Sequence, residues 1–138
     1  MARPKTRSQS CDRSDALHRL AQAESFLVAA ELIVDDDSDD ATPSVAASLA
    51  VLAGIAASDA ACCARLGVRA RGQSHAEAVQ LLGSVEPRRA DMAKDLQRLL
   101  NRKDDSHYGV AFVSAGEASR MVGWAKRLLG LARRAVEA

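Results

Sequence analysis

"TPSVAASLAVLAGIAASDAACCARLG", residues 42–67, decides the fold. Thr42-Pro43 is a helix start: a capping hydroxyl, then a ring whose fixed φ suits the first helical position. Gly67 is a natural stop. From Ser44 to Ala64 the only charged residue is Asp59. A helix that is apolar nearly all round is a central, buried one. Its many alanines and Gly54 would let neighbouring helices come close. The reading is an all-α bundle organised around this segment.

On the N-terminal side the spacing predicts a helix from about Ser14 to Val34. Leu17, Leu20, Ala21, Leu27 and Val28 follow the three-four rhythm of one face, widened by Phe26, Ala30 and Ile33. The acidic stretch "DDDSDD", residues 35–40, ends it. Asp35, Asp37 and Asp39 alternate like the start of a calcium loop. Asp40 stands where the loop glycine belongs and Ala46 where the closing glutamate belongs, so a solvated loop is the reading and no metal is expected. Residues 1–13 are polar and basic, with Arg3, Lys5, Arg7 and Arg13, and are expected to be a flexible tail outside a single domain spanning 14–138.

On the C-terminal side, Ser74-x-x-Glu77 is a capping box that opens a short helix. Pro87 restarts the chain. Met92, Leu96, Leu99 and Leu100 form the apolar face of a fourth helix ending near Arg102. Ser114-x-x-Glu117 opens a fifth, with Ala118, Met121, Val122, Ala125, Leu128, Leu129 and Ala132 as its stripe. Short connections favour antiparallel neighbours, hence an up-and-down bundle of about five helices.

Composition agrees. Hydrophobic residues are 48 % of the 138-residue chain, but there is one Trp, one Tyr and two Phe. Alanine and leucine dominate, and both are strong helix formers. The net charge of +1 points to no partner class. There is no Gly-rich phosphate loop, no repeat and no cofactor signature. No stretch reads as long and apolar enough to span a membrane, and the N-terminus lacks the apolar core of a signal peptide. Cys11, Cys62 and Cys63 make neither a chelating pair nor a disulfide framework, so a reducing cytoplasm is the expected home.

Asp59 is the first candidate site residue. A carboxylate in an apolar helix must be paired or protonated if it is buried. Arg65 or another nearby cation is one partner; a basic residue from the 99–110 stretch is another. His75, in the first turn of a capped helix, reads as structural, and His18 as exposed. The stretch "LLNRKDDSHYGV", residues 99–110, holds Arg102 and His107. Positions five apart on a continuous helix do not share a face, but a break between them would let both face one cleft. An arginine grips phosphate oxygens and a histidine can move a proton, which suits a phosphodiester. In the last helix Gly116, Arg120, Gly123, Arg127, Gly130 and Arg134 fall on one face. Each glycine there costs about 1 kcal/mol against alanine. Close approach of a second protomer or of a nucleic-acid backbone would explain the choice.

Taken together, "RKDDSH" at 102–107 followed by Tyr108-Gly109, "RARGQSHAEAVQLL" at 69–82 and "SHYGVAFVSAGEASRMVGWAKRLL" at 106–129 resemble the HEPN family, in its actinobacterial-type members. The likeness covers roughly residues 14–137. It implies a homodimer in which an Arg and a His from each protomer face one groove and cleave RNA without metal or cofactor, often in a toxin or defence setting with a cognate antitoxin. On that pattern Arg102 would hold the phosphate and His107 would assist the 2′-hydroxyl, with Asp59 and Tyr108 in support. Active members often carry Asn, Asp or His after the arginine; this chain has Lys103. Many members with altered motifs are non-catalytic modules that bind nucleic acid, nucleotide or a partner protein.

Overall fold

The computed structural model describes residues 8–36, 42–71, 74–86, 88–107 and 113–138, without the side chains of 104–107. Of the described residues, 81 % are helical. Its helices are α1 (Arg13–Val34), α2 (Pro43–Leu66), α3 (His75–Leu82), α4 (Arg89–His107) and α5 (Ala115–Glu137). Two three-residue strands, β1 (Ser8–Ser10) and β2 (Val68–Ala70), pair antiparallel with Gln9 opposite Arg69. This is the all-α bundle expected.

The long helices alternate in direction. Arg19 near the start of α1 meets Asp59 near the end of α2. Arg133 and Lys126 on α5 meet Glu24 and Glu31 on α1 in reverse order. Arg127 and Arg102 likewise pair Asp95 and Glu117 across α4 and α5. Helix α2 sits in the middle, packed against α1, α4 and α5. Pro43 opens it, though Thr42 holds the cap position by its backbone alone, with no capping bond from its side chain. Gly67 closes it at φ 73°, and its N–H reaches the Cys63 carbonyl at 3.2 Å. That left-handed conformation is open to glycine at little cost. By length and composition α2 could cross a membrane, with a mean hydropathy of 1.8, which corrects the sequence expectation. However, 72 % of its apolar window is buried among the other helices.

Three further expectations are revised. The buried stripe of α1 is Ala16, Leu20, Ala23, Leu27 and Ala30. Leu17 and Val28 face outward, 49 % and 57 % exposed, because small alanines let α1 lie closer to the alanine-rich α2. Residues 8–13 are not a free tail. Asp12 and Asp15 form a reciprocal capping box on α1, β1 is paired, and Cys11 is disulfide-bonded to Cys63. Cysteine spacing shows no framework for this bond; it forms because β1 carries Cys11 to the end of α2, where its N–H reaches the Gly67 carbonyl at 2.9 Å. Finally, α4 does not stop near Arg102 but runs on to His107.

Candidate functional site

The run-on of α4 bears directly on the Arg102–His107 motif. Five residues of continuous helix rotate a side chain by roughly 140°, so the break that would aim both residues into one cleft of a single chain is not there. The side chain of His107, and Tyr108 entirely, lie outside the described residues. Arg102 is fixed against Glu117 in the first turn of α5. Glu117 in turn donates its backbone N–H to the Ser114 hydroxyl at 3.1 Å, the cap of that helix. Arg102 thus ties the end of α4 to the start of α5.

The cationic recess of the molecule is elsewhere. Arg19 from α1, Asp59 from α2, Arg69 and Arg71 at β2, His75 from α3 and Lys103 from α4 line a cleft of about 280 Å³. Ile55, Ala78, Leu96 and Leu100 supply apolar wall. Lys103 puts the start of the "RKDDSH" segment at this cleft, while its neighbour Arg102 points to α5.

Asp59 anchors the cleft floor. It is 6 % exposed. One of its oxygens, Oδ2, accepts from Arg19 Nε at 3.1 Å, from an Arg19 terminal nitrogen at 2.9 Å and from Arg69 at 3.3 Å. Its partners are therefore Arg19 and Arg69 rather than Arg65. Burial pushes the Asp59 carboxyl above the usual carboxylate range, and the two guanidinium groups only partly counter it. Gln9 on β1 accepts from Arg69 at 3.0 Å, so the strand pair helps hold that guanidinium in place. Arg71 is exposed, and neither Arg71 nor His75 has an ion-pair partner among the described residues.

A second recess, about 240 Å³, lies between α4 and α5, lined by Arg88, Asp91, Lys94, Asp95, Arg98 and Arg127. Asp95 is fully buried and accepts two bonds from Arg127, one at 2.8 Å, while Arg98 sits 3.7 Å away and also covers Trp124. Both carboxylates are paired there, Asp91 with Arg88 and Asp95 with Arg127, and the recess reads as a helix-to-helix clasp. It engages Arg127, one member of the glycine–arginine face. Arg120 and Arg134 are exposed, and a Cβ on Gly123 or Gly130 would meet nothing within 4 Å. Within one chain that face is open surface.

Sequence reasoning picked out Asp59 but not Arg19, Arg69, Arg71 or Lys103, and set His75 aside. These residues are scattered over five elements with no shared spacing, so only the fold brings them together. Asp95 was also missed, although it stands three residues after Met92 and four before Leu99, a lone charge on the apolar face of α4. No metal-ligating cluster of His, Cys, Asp or Glu occurs among the described residues. No family model matches the chain, and no curated protein sequence matches it.

Proposed function

We propose that this chain is a HEPN-like, RNA-directed binding module that acts as a homodimer in the cytoplasm. The observation that carries the reading is the cleft: Arg19, Arg69 and Arg71 line it around Asp59, the one carboxylate among its described residues. Phosphate groups are the ligands that such a charge excess recognises, through forked and point-charge donors. Binding is favoured over cleavage because Arg102 is engaged by Glu117 and α4 is unbroken through His107. A metal-independent endoribonuclease of toxin or defence type, held by an antitoxin or other partner protein, is the second reading. It requires two protomers to bring Arg102 of one near His107 of the other.

The experiment is binding of single-stranded RNA across a salt series, with sizing by sedimentation and a cleavage assay in EDTA alongside. The expected outcome is a salt-sensitive complex, weakened by Arg71→Ala, on a dimer that leaves RNA intact. Salt sensitivity follows from counterion release at phosphate contacts. RNA cut in EDTA, with loss of cutting in His107→Ala, would establish the nuclease instead. Absence of any RNA binding would overturn both.

A further inference from the structure

We infer that the recess between α4 and α5 is a binding site for a free tetrahedral dianion, of the phosphate or sulfate class. It shares no lining residue with the cleft around Asp59.

The charges in the recess do not balance. Arg88, Lys94, Arg98 and Arg127 line about 240 Å³ with two carboxylates, Asp91 and Asp95. Arg88 pairs with Asp91, and Arg127 with Asp95. Two positive charges are left over, on Lys94 and Arg98. Lys94 is exposed and has no hydrogen-bond or ion-pair partner among the described residues. Arg98 stands 3.7 Å from Asp95, beyond hydrogen-bond reach. Four residues apart on one helix, Lys94 and Arg98 are neighbours, and like charges at that spacing repel. A dianion between them replaces that repulsion with attraction.

The donors are already in place. Asp95 is fully buried and holds Arg127 through both of its oxygens. Arg98 lies over Trp124, its guanidinium carbon 5.7 Å from the ring centroid. Little side-chain freedom is therefore lost when an anion arrives. Arg127 stays 56 % exposed and has N–H donors to spare after Asp95 has taken two.

The arrangement of the donors selects the anion. Lys94 and Arg98 come from α4 and Arg127 from α5, so they approach from two sides. A carboxylate offers one charge and two oxygens in a plane. A phosphate group carries nearly two charges and has oxygens pointing in several directions. It can meet both helices at once and match the surplus. Every residue lining the recess is charged. Nothing there would hold a base or a sugar, so the ligand is the ion itself.

The test is calorimetric titration of the full chain with sodium phosphate at constant ionic strength, followed by competition with sulfate, malonate and chloride. Phosphate should bind, sulfate should displace it, and malonate and chloride should do so poorly. Lys94→Ala and Arg98→Ala should each weaken phosphate about tenfold, the scale of one charge-assisted hydrogen bond. Arg71→Ala, in the other cleft, should leave it unchanged. Arg127 is kept in every variant, because removing it would strand the buried Asp95. A melting temperature raised by phosphate is not enough, since such ions stabilise proteins in general by exclusion from their surface. The rise should shrink in Lys94→Ala, with helicity unchanged. Affinity lost in Arg71→Ala but kept in Lys94→Ala would overturn the inference and place the ion beside Asp59. Malonate binding as tightly as phosphate would overturn the tetrahedral ligand. Phosphate displaced by a short RNA with hydroxyl ends, in the wild type and in Arg71→Ala alike, would overturn the free ion and make the recess a nucleic-acid contact.

Discussion

At Asp59 two effects compete, and pH separates them. Burial raises the carboxyl, and Arg19 and Arg69 pull it down without cancelling the rise. A carboxyl whose folded pKa is raised contributes stability below its unfolded pKa, about 3.9, and loses it as pH rises through the folded value. Asp59→Asn removes the titration but keeps the shape. Urea melts should therefore show the Asn variant gaining on the wild type as pH goes from about 4 to 7. A wild type that gains instead would mean that the arginines outweigh burial. Asp59→Ala removes the acceptor altogether. Breaking a fully buried pair costs about 3–5 kcal/mol. Arg19 and Arg69 keep some contact with water, so a loss nearer 1–3 kcal/mol is expected. The sequence made Asp59 conspicuous because it is alone in an apolar run. It could not name Arg19, forty residues away, since that pairing depends on how α1 lies on α2. The same burial, with the Asp59 charge beside it, pushes the Cys62 thiol up to about 12. Cys62 therefore stays a protonated core side chain while its neighbour Cys63 takes the bond to Cys11.

Among the helices, the glycines separate close packing from open surface. A Cβ at Gly54 would stand 2.5 Å from a terminal methyl of Leu99, which is fully buried. A Cβ at Gly123 would meet nothing within 4 Å. Glycine to alanine gains about 1 kcal/mol of helix propensity at either place. At Gly54 it also forces Leu99 aside, an overpacking cost of about 1–3 kcal/mol. Chemical denaturation should show Gly123→Ala more stable than wild type and Gly54→Ala neutral or less stable. A Gly123→Ala variant that is destabilised only at high protein concentration, where dimers form, would assign that face to a second protomer. Helix α2 was readable because Thr42-Pro43, Gly67 and an unbroken apolar run are local signals. The end of α4 was not. "KDDSH" is polar, and polarity resembled a helix end. None of its residues is Gly or Pro, so nothing in it stops the helix, and α4 runs through it to His107. The face of α1 was misplaced by one position because large Leu17 and Val28 outbid Ala16 and Ala23 in a hydrophobic count. In packing against an alanine-rich helix, small size decides.

For the whole molecule, the covalent tie from Cys11 to Cys63 joins local order to stability and to cellular location. It closes a loop with a sequence separation of 52. It also anchors β1, whose pairing with β2 helps hold Arg69 at the cleft. Chain-entropy reasoning assigns such a cross-link about 4 kcal/mol, through the freedom it removes from the unfolded chain. Cys11→Ser should therefore lower unfolding stability by about 2–4 kcal/mol and leave most helicity in place. The bond lies at one end of α1 and α2, while the core shared with α4 and α5 is continuous without it. A loss below about 0.5 kcal/mol, the range of an ordinary surface change, would mean that the bond constrains little. The same bond tests location. Disulfides persist in oxidising compartments and are transient or redox-sensing in the cytoplasm. Trapping thiols by alkylation in living cells, then weighing the protein, reads the state directly. Cytoplasmic residence predicts that Cys11 and Cys63 are alkylated in a substantial share of molecules. A fully oxidised pair in every molecule would move the protein to an oxidising compartment and, with it, remove cellular RNA as its natural ligand.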